Sequence, residues 1–186
     1  MKEARSKLLT AIEDFCRSFN SKRITPIMEA DVAGFLYHRL VTHGCSLNSI
    51  YLASRICGKS ERSRKPDIVV GSLNKANGCV QPRLICELKV FQRWGHSDQQ
   101  KRRRFEGILD QDIPTLTQLE EYLPRGRIQV VVDLHKSPKL LGYMTGTWKG
   151  NFRVDVVRER CRAAGVSFYW AHEERDTETI CVEKVI

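Results

Sequence analysis

The segment KPDIVVGSLNKANGCVQPRLICELKV, residues 65–90, gathers residue types that hydrolytic metal chemistry uses. Asp67 opens one apolar strand, and Glu87 and Lys89 lie in the next. Side chains alternate across a strand, so Glu87 and Lys89 share one face while Leu84, Cys86, Leu88 and Val90 take the other. Asn77-Gly78 is a strong hairpin signal, and folding the chain about Asn77 sets Asp67 across from Glu87 to within about one residue. Directly opposed residues project from the same face of a sheet. Two carboxylates and an ammonium are therefore expected to converge from paired strands. Pro82 removes one ladder donor, so the pairing should be irregular near the turn.

Two neighbouring carboxylates repel, and a divalent cation between them relieves the repulsion. Mg²⁺ suits the place because it takes oxygen ligands in octahedral geometry and keeps several waters; Mn²⁺ is the expected substitute. The backbone carbonyl of Leu88 offers a further oxygen. Lys89 beside such a metal would orient or deprotonate a water for attack on a phosphodiester and offset charge in the transition state. The competing account is an ordinary hairpin carrying a surface Glu–Lys ladder. Context favours chemistry: both halves lie in apolar strands joined by a hairpin turn, in a chain of net charge +9.

The elements that must position these groups are legible as hydrophobic periodicity. Leu8, Leu9, Ile12, Phe15, Cys16 and Phe19 predict an amphipathic helix over residues 3–19. Thr25 as N-cap and Pro26 at the first helical position predict a second helix through Leu40, with Gly44 as its stop. Ile50, Leu52, Ser54 and Ile56 alternate as in a strand; DIVV and LICELKV are strands separated by the turn-rich GSLNKANG. A helix is expected around residues 112–123, a strand over Ile128–Leu134, a helix over about 152–164 closed by Gly165, and two final strands. The fold class is α/β: one domain over 1–186, a mixed central sheet flanked by α-helices.

At Pro66-Asp67 and Glu87-Leu88-Lys89 the chain resembles the PD-(D/E)xK nuclease superfamily, over about residues 25–134. The resemblance implies a restriction-endonuclease-like core with its metal site on such a hairpin, and Asp67 and Glu87 as ligands. Many members carry a further Glu on the preceding helix, a position that Glu29 matches. Glu29 shares a helical face with Val32 and Leu36, which predicts partial burial, and a buried carboxylate calls for a cation nearby. Its competing role is a first-turn acid favoured by the helix dipole. Asp31 falls on the side of Gly34 and His38 and is expected to be solvated. Gln118 and Tyr122 are similar to a Gln-x-x-x-Tyr motif of the exonuclease branch, where the pair touches the DNA end.

Lys+Arg total 31 against 22 Asp+Glu, a surplus that points to a polyanionic partner. Lys59, Arg62, Arg64 and Lys65 precede Asp67, and Arg93, Lys101, Arg102, Arg103 and Arg104 follow Lys89. Both runs flank the acidic hairpin, where they are expected to bind phosphates, with Trp94 placed to stack on a base. No segment is apolar enough to cross a bilayer and the N-terminus has no secretory pattern, so a cytoplasmic protein without membrane association is expected. The seven cysteines include no Cys-x-x-Cys, and they are expected to be thiols rather than disulfides. His38, His43 and Cys45 lack a fourth zinc ligand at a finger-like spacing. The expected activity is Mg²⁺-dependent phosphodiester hydrolysis, on DNA before RNA. The alternative is a nucleic-acid-binding module of the same fold without activity.

Overall fold

The computed structural model describes residues 2–26, 28–59, 65–91, 98–123, 125–134, 154–173 and 179–185, excepting the side chains of residues 98, 101, 102 and 154. Arg62, Arg64, Arg93, Trp94 and the side chains of Lys101 and Arg102 therefore lie outside the described residues. Six strands form one mixed sheet in chain order: β1 (Ile50–Leu52), β2 (Ile68–Asn74), β3 (Cys79–Phe91), β4 (Arg127–Asp133), β5 (Ser167–Glu173) and β6 (Ile180–Lys184). Neighbours are antiparallel except β3–β4 and β4–β5, which are parallel.

Parallel neighbours need long crossovers, and helices supply them. Between β3 and β4 run α3 (Asp98–Gly107), a π-helical turn (Ile108–Asp112) and α4 (Ile113–Gln118); between β4 and β5 lies α5 (Val154–Ala163). The opposite face is covered by α1 (Lys2–Asn20) and α2 (Glu29–Thr42). With α3 to α4 counted as one bent helix, four helices flank the sheet among the described residues. The expected α/β architecture is present.

Alternation along β3 sorts the core into two layers. Leu84, Cys86, Leu88 and Val90 pack against Leu8, Ile12, Phe15, Val32 and Leu36 of α1 and α2. Ile85 and Phe91 face Phe105, Ile108, Ile113 and Leu116 of the crossover. Each large side chain buried in this way contributes about 1.5–3 kcal/mol. β4 is buried at every position, as befits a parallel strand covered on both faces.

Four local expectations are corrected. First, α2 starts at Glu29, three residues after Pro26; the Asp31 carboxylate accepts a hydrogen bond from the Met28 N–H at 2.8 Å and caps it there. Second, GSLN belongs to β2, and a register shift falls between Val70 and Gly71, opposite Pro82. Gly71 is required at that irregularity, since a Cβ would collide with the Gln81 carbonyl. Third, the helix around Leu116 ends at Gln118, and the basic segment before it is helical from Asp98.

The fourth correction concerns the cysteines: Cys57 and Cys79 form a disulfide. Ile56 bridges Val80 in parallel, the Cys57 N–H donates to the Val80 carbonyl at 2.9 Å, and the Val80 N–H donates to the Arg55 carbonyl at 2.8 Å. That pairing brings the two Cα atoms to 5.0 Å, within disulfide range. The remaining five cysteines are thiols. Burial pushes Cys16 and Cys161 up to about 12 and Cys86 well above the ordinary thiol range. Among the described residues, no helix is long and apolar enough to cross a membrane.

Candidate active site

The pairing of Ile68 with Cys86 sets Asp67 beside Glu87, the register expected from the hairpin turn. β2 begins at Ile68, so β3 continues from Glu87 to Phe91 without β2 on that edge. Ladder N–H groups left there need acceptors. Asp67 takes one, its Oδ2 accepting from the Leu88 N–H at 2.7 Å, and its own carbonyl accepts from the Ala53 N–H at 3.1 Å. Glu29, at the first position of α2, takes the next: its Oε2 accepts from the Val90 N–H at 3.2 Å. Two carboxylates from different elements thus line one strand edge.

Glu87 and Lys89 share the face of Ile85 and Phe91, directed toward the crossover. Glu87 is fully buried and lies opposite Gln129 of β4, itself fully buried, whose Nε2 donates to the Glu87 carbonyl at 3.4 Å. The Lys89 side chain is 12 % exposed, with Nζ 4.0 Å from Glu29 Oε2 and 3.5 Å from Asp112 Oδ2. Arg104 closes the group: its Nη1 donates to the Val90 carbonyl at 2.9 Å and lies 3.5 Å from Glu29 Oε2. Burial raises the Glu29 carboxyl above its ordinary range and Asp67 adds to the rise; Lys89, the Val90 N–H and Arg104 oppose it.

Asp67, Glu29 and Lys89 lie along the end of β3, and the register places Glu87 beside Asp67. Leu88, expected to offer its carbonyl, meets Asp67 through its N–H. The carboxylates of Asp67, Glu87 and Glu29 are hard oxygen donors of the kind Mg²⁺ selects. Among the described residues, no three His, Cys, Asp or Glu side chains form a ready-made metal group. His43 is engaged elsewhere, its Nε2 2.8 Å from Asp14 Oδ2.

Other expected contact residues scatter. Lys59 holds its ammonium 5.0 Å above the Tyr122 ring, and the Tyr122 hydroxyl donates to the Gly58 carbonyl at 3.3 Å. This pair sits by the Cys57–Cys79 disulfide, and eight residues of strand, roughly 26 Å, separate Cys79 from Glu87. Gln118 is the exposed last residue of α4, and Tyr122 follows in a turn, so the two do not share a helical face. Lys65 lines an open cleft of about 470 Å³ with Tyr51, Arg55 and Leu73. Arg103 is exposed, whereas Arg104 is half-buried within the acidic site.

Sequence reasoning missed Asp112 and Gln129. Pro114 is the one sequence signal for Asp112: it lacks the N–H that a regular helix would pair with the Asp110 carbonyl, and its ring would collide with that group. The chain widens there into a π-helical turn, the Ile113 N–H reaching the Ile108 carbonyl, and a fully buried Asp112 faces Lys89. Gln129 shares its face of β4 with Arg127, Val131 and Asp133, opposite the apolar alternation of Ile128, Val130 and Val132. The fold and site thus define an α/β protein with an acid–lysine cluster where β3 outruns β2. In comparisons with known proteins, no family model, no curated protein and no solved structure matches this chain.

Proposed function

We propose that the chain is a Mg²⁺-dependent nuclease of the PD-(D/E)xK type with a restriction-endonuclease-like core, acting on DNA in preference to RNA. One observation carries the reading: Asp67 is tied to Leu88, beside Glu87 and Lys89, where β3 loses its β2 neighbour. Asp67, Glu87 and Glu29 would hold the metal, and Mn²⁺ would substitute. The donor types fit: all three are carboxylates, and those of Asp67 and Glu29 accept from successive N–H groups of one strand edge. When bound, the metal supplies Lewis-acid polarisation of a phosphoryl oxygen. The chain's own part is to hold a water near Lys89, and to keep Glu29 and the β3 edge in place through Arg104. The basic surplus supplies the electrostatic attraction for a polyanion.

A second reading, a nucleic-acid-binding module without activity, is favoured by the lack of three converging acid groups among the described residues. One experiment separates them. The purified protein is incubated with circular and linear, single- and double-stranded DNA in Mg²⁺, Mn²⁺, Ca²⁺ or chelator. Cleavage is expected in Mg²⁺ and Mn²⁺, with loss in chelator and in Asp67→Ala, Glu87→Ala or Lys89→Ala. Ca²⁺, which accepts looser coordination, should support binding without turnover. Binding with no cleavage in any metal selects the inactive module, and undiminished cutting by Glu87→Ala removes this site from the account.

A further inference from the structure

We propose that Asp112 is a positioning residue for Lys89, an inference that rests on the nuclease reading above. Asp112 is fully buried and its Oδ2 lies 3.5 Å from Lys89 Nζ, while Glu29 Oε2 approaches the same nitrogen to 4.0 Å. The two carboxylates come from opposite layers of the fold, α2 on one face and the α3–α4 crossover on the other. A lysine chain has four rotatable carbons and wanders unless its ammonium is held. Between these acids the ammonium has one place to be.

The crossover that delivers Asp112 is anchored on both sides of it. Phe105 packs on Phe91 with ring centroids 4.7 Å apart, and Ile108, Ile113 and Leu116 are buried in the same core layer. The π-helical turn ends at Asp112, two residues before Pro114. Such turns are rare, and they occur frequently at functional sites. Asp112 lies seven residues beyond Phe105 and four beyond Ile108, a helical spacing that sets it on their buried, sheet-facing side. The anchored crossover, the buried acid and the lysine therefore form one device that sets where the ammonium stands.

The test uses the full-length chain and Asp112→Asn, with Asp112→Ser, small enough to admit a water, as the second variant if the first melts far below the native protein. In one arm, acylation by an N-hydroxysuccinimide ester is read residue by residue by mass spectrometry. Labelling of Lys89 should rise several-fold in the variant while Lys59 and Lys65 keep their rates; an unchanged Lys89 rate overturns the inference. In the other arm, single-turnover cleavage in Mg²⁺ should fall about 10–100-fold, the range for losing a group that orients a catalytic one. DNA affinity in Ca²⁺ should stay within about twofold, which a general loss of structure would not allow. Equal cleavage rates in native and variant proteins defeat the inference alone. No cleavage by the native protein defeats the nuclease reading, and the role for Asp112 with it.

Discussion

The Val90 N–H donates to Glu29 Oε2 at 3.2 Å, two residues along β3 from the Leu88 N–H that donates to Asp67. These are successive outward donors of the strand edge that β2 does not reach. The N-terminus of α2 therefore acts as a side-chain continuation of the ladder, and it does so with a carboxylate. Backbone satisfaction alone would be met by a neutral Asn or Gln. Two acids at adjacent ladder positions repel each other, and that choice of residue makes sense where positive charge is to be gathered. Lys89 and Arg104 supply part of it.

Glu29→Gln keeps an acceptor for Val90 and removes the charge. Because the folded-state pKa of Glu29 is raised, the folded protein holds this proton to higher pH than the unfolded chain does. The resulting penalty is absent below the ordinary glutamate value near pH 4.3 and fully present above the raised value. Relative to the native protein, Glu29→Gln should thus gain stability as pH rises from about 4 to 7, by no more than about 1 kcal/mol for a group only partly withdrawn from water. Denaturant melts of both proteins across that range measure it. Mg²⁺ should then stabilise the native protein and leave the variant behind. A difference that stays flat with pH would mean the Glu29 carboxyl is not strained in the fold.

The hairpin was legible because its signals are local: Asn77-Gly78 sets the turn, and alternation from Leu84 to Val90 sets the faces. Asp67, Glu87 and Lys89 follow from those two facts. What escaped depends on partners distant in sequence. Nothing near Cys57 announces that Ile56 will bridge Val80. The segment QQKRRRFEG carries one large apolar residue, Phe105, so α3 shows no hydrophobic stripe although its Arg104 reaches Val90. In α2 the capping residue is Asp31, inside the helix, and a Thr-Pro pair upstream offers a more familiar start. Asp31, Gly34 and His38 are exposed, as their shared face predicts.

The Cys57–Cys79 disulfide closes a sequence separation of 22 residues. Constraining a loop of that length in the unfolded chain stabilises a protein by about 3 kcal/mol. Dithiothreitol should lower the stability of the native protein by roughly that amount and leave a Cys57→Ser, Cys79→Ser double variant unchanged. Because this cross-link lies at the far end of β3, DNA cleavage at a temperature where both forms are folded should be insensitive to reduction. Mass spectrometry after alkylation without reductant supplies the direct check. Two alkylated thiols at Cys57 and Cys79 would refute the pairing.

Asp14 gives the last prediction, away from the site. Its carboxylate, 7 % exposed, accepts from Arg39 Nε at 2.6 Å and from His43 Nε2 at 2.8 Å, and it pairs with Arg17 as well. These contacts tie the middle of α1 to the last turn of α2 and so fix the layer that presents Glu29. Burial pushes the Asp14 carboxyl up, but hydrogen bonds from Arg39, His43 and Arg17 outweigh it and hold the carboxyl below its ordinary range. A depressed pKa contributes stability that is present above the unfolded value near pH 4 and is lost as pH falls through the folded one. Asp14→Asn keeps one acceptor oxygen but removes the negative charge shared by Arg17, Arg39 and His43, and losing the charge-assisted bonds to these part-exposed partners costs about 2 kcal/mol. For a chain of 186 residues that corresponds to a melting temperature lower by roughly 4–8 °C at pH 7. The gap between native and variant proteins should narrow progressively below about pH 4, where the native carboxylate also takes up its proton. Thermal melts at pH 7, 5 and 3 test both parts. An Asp14→Asn protein as stable as the native one at pH 7 would show that Arg17, Arg39 and His43 do not depend on this charge to hold α1 and α2 together.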